Sequence, residues 1–147
     1  MIKNNPKYNL NTITNFIIKF SNIRKFDISN LKLQKILYFV QSQFLVNYQQ
    51  VCFTKPIYAL NFGPVVKPIY NYFKFYGTTD IDTLIPNTVK QTITKRDQEL
   101  IINILRQCAQ YNDTELLHLI YQQTPYKIAQ NNTTKVIDIN NLYKFFI

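Results

Sequence analysis

Apolar residues in the first third of the chain recur at helical spacing. Ile13, Phe16, Ile17, Phe20 and Ile23 form one stripe, predicting a helix over about 10–26 with Asn11 or Thr12 as its cap. Ser29 has the chemistry of an N-cap for a second, longer helix over about 29–48. There Leu33, Ile36, Leu37, Val40 and Phe44 line one face, while Leu31, Tyr38, Phe39 and Leu45 cover much of the rest. A helix that is apolar nearly all round is expected at the centre of a fold, contacted on several sides. Lys32, Gln34, Lys35, Gln41 and Gln43 are then its few wet positions.

Pro56 stops the helical pattern, and Ile57, Ala59 and Leu60 read as a short extended segment near 56–62. Gly63-Pro64 is the sharpest turn signal, since Gly63 is one of only two glycines. A third helix is expected from Val65 or Val66, with Pro68 in its first turn and Gly77 as its C-terminal cap. Residues 78–91 read as a loop. Thr94 with Asp97 three positions later opens a fourth helix reaching about 111. Asp113 or Thr114 is expected to cap a fifth over 115–122, Pro125 to open a short turn to about 130, and Asp138 to cap a last helix holding Leu142, Phe145 and Phe146. The expected fold is all-α: a single compact domain over 1–147, with six or seven helices around the central one. Residues 1–10, polar and Asn-rich, read as a flexible N-terminal arm.

Composition narrows the class. With 147 residues, 46% of them hydrophobic and 15% aromatic, the chain buries a sizeable core and is not intrinsically disordered. No stretch reaches the roughly 18 apolar residues of a membrane span. The first fifteen residues lack the apolar core of a secretory signal. Cys52 and Cys108 lie far apart without paired spacing, so no zinc site or redox pair is indicated. A reduced, soluble, cytoplasmic protein without metal or cofactor is expected.

The formal charge of +9, from 17 Lys and Arg against 8 Asp and Glu, is uneven along the chain. From Met1 to Tyr76 there are ten basic residues and one acid, Asp27; from Gly77 to Ile147 there are seven of each. A basic half suggests a nucleic acid or an acidic partner. Only three of the basic residues are Arg, whereas nucleic-acid readers favour Arg for bidentate contacts. Abundant Asn, Ile and Lys with scarce Gly and absent Trp also match an A/T-rich coding bias, which accounts for part of the lysine count.

Catalytic chemistry is thin. His118 is the single histidine and sits in an apolar run; its most plausible nucleophile, Cys108, is linked to it by sequence distance alone. Asp80/Asp82 and Asp113/Glu115 fall where caps and solvated loops belong. No catalytic residue is assigned. The aromatics are the stronger feature: 12 of 22 lie between Tyr38 and Tyr76. Most are expected in the core, but Tyr70, Tyr72, Phe73, Phe75 and Tyr76 cannot all face inward from one helix. Some of Tyr72, Lys74 and Phe75 should be exposed, which suits a protein interface.

Three segments resemble a known family. The run 28–39, with Leu31-Lys32-Leu33-Gln34-Lys35 followed by Leu37-Tyr38-Phe39, resembles the opening LKLQKLLYF of the Panacea domain, the SocA-like antitoxin family formerly called DUF4065. Ala59 to Val66, with Gly63-Pro64 inside it, resembles that family's AWxxGPVV turn; Thr124 to Ala129 resembles its PWxxA element; Ile139, Leu142, Tyr143 and Phe145 resemble its terminal helix. Leu60 and Tyr126 stand where Trp is usual, and Tyr58 where an acid that would pair with Lys35 is common. Lys35 must then face solvent or find another partner, because a buried unpaired charge is costly. The resemblance implies a helical, non-enzymatic protein that binds and neutralises a toxin protein in a toxin–antitoxin or mobile-element system. The partner surface is expected to comprise Gln34, Lys35, Tyr38, Gly63, Pro64, Tyr70, Tyr72 and Lys74, facing an acidic toxin. A basic nucleic-acid-binding regulator is the alternative, as is a protease adaptor or phage accessory; the oligomeric state is left open.

Overall fold

The computed structural model describes residues 1–147. Helix α1 spans Leu10–Arg24, and its cap is Asn9, whose side chain accepts the Asn11 N–H. Helix α2, Asn30–Tyr48, opens where Ser29 Oγ accepts the Lys32 N–H at 3.2 Å and closes at Gln49 in the left-handed region. It is the centre of the fold: α7, α4, α5, α3 and the β-hairpin all pack on it. Leu33, Leu37, Tyr38, Val40, Phe44 and Leu45 along it are fully buried.

The extended piece is a two-stranded hairpin. Strands β1 (Tyr58–Leu60) and β2 (Gly63–Val65) are antiparallel, with Tyr58 opposite Val65 and Leu60 opposite Gly63. Helix α3, Lys67–Tyr72, is shorter than expected. The fully buried Phe73 leaves helical geometry, and the chain tightens into a 3₁₀ turn, Lys74–Tyr76, that ends at Gly77 with φ +61°. Helices α4 (Lys95–Cys108), α5 (Asp113–Tyr121), α6 (Thr124–Gln130) and α7 (Ile139–Phe146) complete the seven. Thr94 and Asp138 cap α4 and α7 as expected. The α5 cap lies one residue before the expected Asp113: Asn112 and Glu115 form a reciprocal capping box with both hydrogen bonds at 2.8 Å.

Two expectations are corrected. Residues 1–10, expected as a flexible arm, are tied to the fold by backbone hydrogen bonds at three positions, while Met1 and residues 3–6 stay exposed. Lys3 N–H donates to Gln49 O at 2.7 Å, Lys7 N–H to Val51 O at 3.1 Å and Tyr8 N–H to Cys52 O at 3.0 Å, with Tyr8 in the core. Backbone pairing needs no apolar side chain, so an Asn-rich composition conceals it. The supposedly wet positions of α2 are the second correction: Lys32, Gln34, Lys35 and Gln41 are all buried, and Gln43 is partly so.

Gly63 illustrates how tightly the hairpin sits on α2. Its φ is +129°, and a Cβ there would lie 3.3 Å from Lys35 Nζ and 3.5 Å from Leu117 Cδ1. Replacing it with alanine forces strained backbone and displaces the lysine. Gly63→Ala should cost about 2–3 kcal/mol, read as a lower urea midpoint.

Candidate partner-binding surface

The polar residues of α2 each hold a different neighbour. Gln34 Oε1 accepts the Val66 N–H at 2.8 Å, and its Nε2 donates to Asn30 Oδ1 at 3.0 Å. Asn30 Nδ2 in turn donates to Tyr70 O at 2.9 Å. Next to Gln34, Lys35 Nζ meets Asp113 Oδ1 at 2.6 Å, and Lys32 Nζ donates to Tyr111 O at 2.9 Å. Tyr38 OH donates to Gln123 Oε1 at 2.6 Å. Gln41 Oε1 accepts the Cys52 N–H at 2.7 Å while its Nε2 donates to Phe53 O at 2.8 Å. Burying a polar group is costly unless it is satisfied, and here one helix supplies partners to α3, to α5 and to the segments at residues 52–53, 66, 111 and 123.

Gln34, Lys35 and Tyr38 were expected to contact a partner. That is corrected: none has exposed side-chain surface, and all three face inward as clamps. Gly63 and Pro64 are buried as well. Burial pushes the Lys35 ammonium below the usual lysine range, and Asp113 only partly offsets it. Burial likewise pushes the Tyr38 phenol well up. The question left by Tyr58 is resolved: Lys35 finds Asp113, and Tyr58 instead lies under Lys67 Nζ at 3.9 Å from the ring centre.

Tyr70, Tyr72 and Lys74 remain at the surface, Tyr70 half-buried and the other two exposed. Two further aromatic residues nearby in the sequence are exposed. Phe75, next to Lys74 on the 3₁₀ turn, is 78% exposed, and Phe62 at the hairpin turn is 39% exposed with its ring 5.6 Å from that of Tyr70. Phe75 was legible in the aromatic run, which cannot all turn inward. Phe62 carried no such signal, since a phenylalanine beside a β-turn is as readily core as surface.

The model of the antitoxin SocA-like, Panacea domain matches residues 33–127. The chain belongs to that family. No curated protein and no solved structure matches it. Membership supports an antitoxin-type role in general terms, a protein partner and a non-enzymatic function. The Panacea match runs from within α2 to within α6, so it takes in every clamp from Gln34 to Gln41 and both Gly63 and Pro64. The two positions where the family usually has Trp meet each other here: Tyr126 OH donates to Leu60 O, and burial pushes that phenol well up.

The Panacea domain of this chain also holds one end of a cluster that reaches outside the match. Asp97, fully buried on α4, accepts from Tyr8 OH at 2.6 Å, from Lys7 Nζ at 3.0 Å and from Tyr48 OH. Burial alone would raise the Asp97 carboxyl, but the hydrogen bonds from Tyr48, Tyr8 and Lys7 outweigh it and hold the carboxyl below the usual range. Lys7 and Tyr8 belong to the first ten residues, so this carboxylate seats that segment.

The remaining candidate chemistry does not assemble. His118 is exposed, with Nε2 3.0 Å from Gln122 Nε2. Cys108 is buried and its thiol is pushed up to about 11, the opposite of an activated nucleophile. No helix is long and apolar enough to cross a membrane.

Proposed function

We propose that this chain is a non-enzymatic antitoxin-type protein that binds a partner toxin with an acidic surface and neutralises it. Membership of the Panacea family carries the reading. Its contact surface comprises Phe62, Tyr70, Tyr72, Lys74 and Phe75, an aromatic group flanked by lysine of the kind that anchors protein interfaces. Gln34 acts behind it: through Val66 and Asn30 it fixes the backbone that presents Tyr70, which lowers the ordering cost of binding. Lys67 and Lys74 steer an acidic partner and raise its on-rate.

Co-expression with the product of the adjacent reading frame tests this. The expected result is relief of the growth arrest caused by that product and recovery of both proteins as one complex. Tyr72→Ala with Phe75→Ala should weaken the complex by about tenfold to a hundredfold, because exposed aromatic anchors dominate such interfaces. A chain that neither relieves arrest nor co-purifies removes the reading.

A further inference from the structure

The segment that precedes α1 lies in a seat built by distant parts of the chain. Lys3 N–H donates to Gln49 O at 2.7 Å, Val51 N–H donates back to Lys3 O at 3.2 Å, and Gln50 Nε2 donates to Asn5 O at 2.9 Å. The Lys7 and Tyr8 N–H groups then donate to the successive carbonyls of Val51 and Cys52. Residues 1–8 therefore run along residues 49–52 as an added strand does, with Lys3 in parallel register to Gln50. Such backbone contacts accept almost any sequence, and side chains supply the selectivity. Neighbouring side chains of a regular strand point to opposite faces, yet Lys7 Nζ and Tyr8 OH both reach Asp97 Oδ2, at 3.0 Å and 2.6 Å. Lys7 Nζ also stands 3.9 Å from the centre of the Tyr48 ring, and the Tyr8 ring meets Phe44 edge-on at 6.1 Å.

The seat has supports of its own. Gln41 on α2 holds the backbone of residues 52–53 from behind, and Asp97 is fixed in the first turn of α4, where Thr94 Oγ1 accepts its N–H. Tyr48 OH donates to the second carboxylate oxygen of Asp97, Oδ1. The segment that fills the seat is weakly embedded by comparison. Among residues 1–8 only Tyr8 is buried; Ile2 and Lys7 are half-buried and the rest are exposed. Few buried apolar contacts and a polar latch on one carboxylate are the make-up of a unit that opens apart from the core. Asn9 follows at once as the cap of α1, so the segment stays close to its seat even when lifted. A tether this short gives an effective concentration of about millimolar, against which a dilute outside segment competes poorly.

We propose that the edge at residues 49–52, together with Asp97, is a recognition site for an extended peptide carrying a lysine followed by a tyrosine, and that residues 1–8 occupy it as a tethered ligand. The contact is autoinhibitory: an outside segment of that chemistry enters only when the tethered one lifts. Its apparent affinity is the intrinsic affinity reduced by the fraction of chains that are open. The site does not depend on the antitoxin reading and has the opposite polarity. Here the protein supplies the acid and the ligand the base, whereas the surface of Lys67 and Lys74 meets acidic groups. The two sites therefore select different segments.

The test uses the full chain and a labelled synthetic peptide of residues 1–9 as the probe. Lys7→Ala with Tyr8→Phe loosens the tethered segment, leaves every group of the seat in place and keeps an aromatic ring in the core. In this variant the amides of Lys7, Tyr8 and Val51 should exchange with solvent faster than in the wild type, while those in the buried middle of α2 are unchanged. The peptide should bind the loosened chain about tenfold or more tightly than it binds the wild type. A peptide that itself carries Lys7→Ala and Tyr8→Phe should bind the loosened chain about tenfold more weakly than the unaltered one, since it brings no donor to Asp97. That comparison reads the carboxylate contact without a further change to the protein. Amide exchange that is equal in the two chains, or that speeds equally in α2, overturns the segment as a separable unit. A peptide that binds neither chain, binds both equally, or binds as well without its lysine and tyrosine groups overturns the recognition site.

Discussion

Asp97→Ala should lower the stability of the chain by about 3 kcal/mol, a fall in the thermal midpoint of about 6–12 °C for a domain of this size. The carboxylate is fully buried and accepts from Lys7, Tyr8 and Tyr48 together. Removing it leaves the Tyr8 hydroxyl in the core with only the Thr94 N–H, which donates to it at 3.2 Å. Lys7 is a quarter exposed, so it regains water and contributes less to the loss. The first ten residues lose their side-chain anchor and should exchange backbone amides faster. The pH dependence has a definite sign. The folded Asp97 carboxyl lies below its unfolded value, so its contribution is fully present above about pH 4 and declines as pH falls through the lowered folded value. The gap between wild type and Asp97→Ala, followed by urea unfolding across that acid range, should therefore narrow towards low pH. A gap of constant size would mean that the carboxylate is not held in its charged form.

Asp113→Ala should cost nearly as much, about 2–4 kcal/mol, because it strands a buried ammonium. Lys35 has no exposed side-chain surface, and its other contact is Leu31 O at 3.4 Å. The reverse deletion is milder in its electrostatics, since Asp113 is a third exposed and sits in the first turn of α5, where the helix dipole favours an anion. Burial already depresses the Lys35 amine despite the ion pair, so the pair is expensive to keep. Lys35→Met in combination with Asp113→Ala should return stability to within about 1 kcal/mol of wild type, since a methionine fills much of the lysine stem. Urea unfolding of the two singles and the double gives the comparison. A double variant as unstable as Asp113→Ala would show that the ion pair itself, and not the stranded charge, is what matters.

The family resemblance and the architecture were legible for related reasons. Stripes at three- and four-residue spacing place α1 and α2, and a cap at Ser29, Thr94 or Asp138 fixes where a helix opens, because both are local properties of a few neighbouring residues. The third helix was overextended because the apolar spacing continues through Phe73 to Tyr76, while the buried Phe73 in fact ends the α-helix. The candidate site was half legible. Tyr72, Lys74 and Phe75 follow from the rule that adjacent helical positions cannot all face inward. Gln34, Lys35 and Tyr38 were placed on the wrong side of the backbone, since a polar residue reads as solvated until its partner is known.

Those partners are distant in sequence: Asp113 lies 78 positions from Lys35, Gln123 85 from Tyr38, and Asp97 90 from Lys7. No local pattern encodes such pairings. The sequence by itself determined the helices, the central place of α2 and the family, and it signalled a chain reversal near Gly63-Pro64, although the turn itself falls on Asn61-Phe62 and Gly63-Pro64 open β2. Only the tertiary structure decided which charges are free. Lys7 and Lys35 of the basic first half are neutralised by Asp97 and Asp113 of the balanced second half, and Lys32 is tied to a backbone carbonyl. The excess charge counted along the chain is thus partly spent inside the fold, because folding brings a charge and its counter-charge together regardless of their order in sequence.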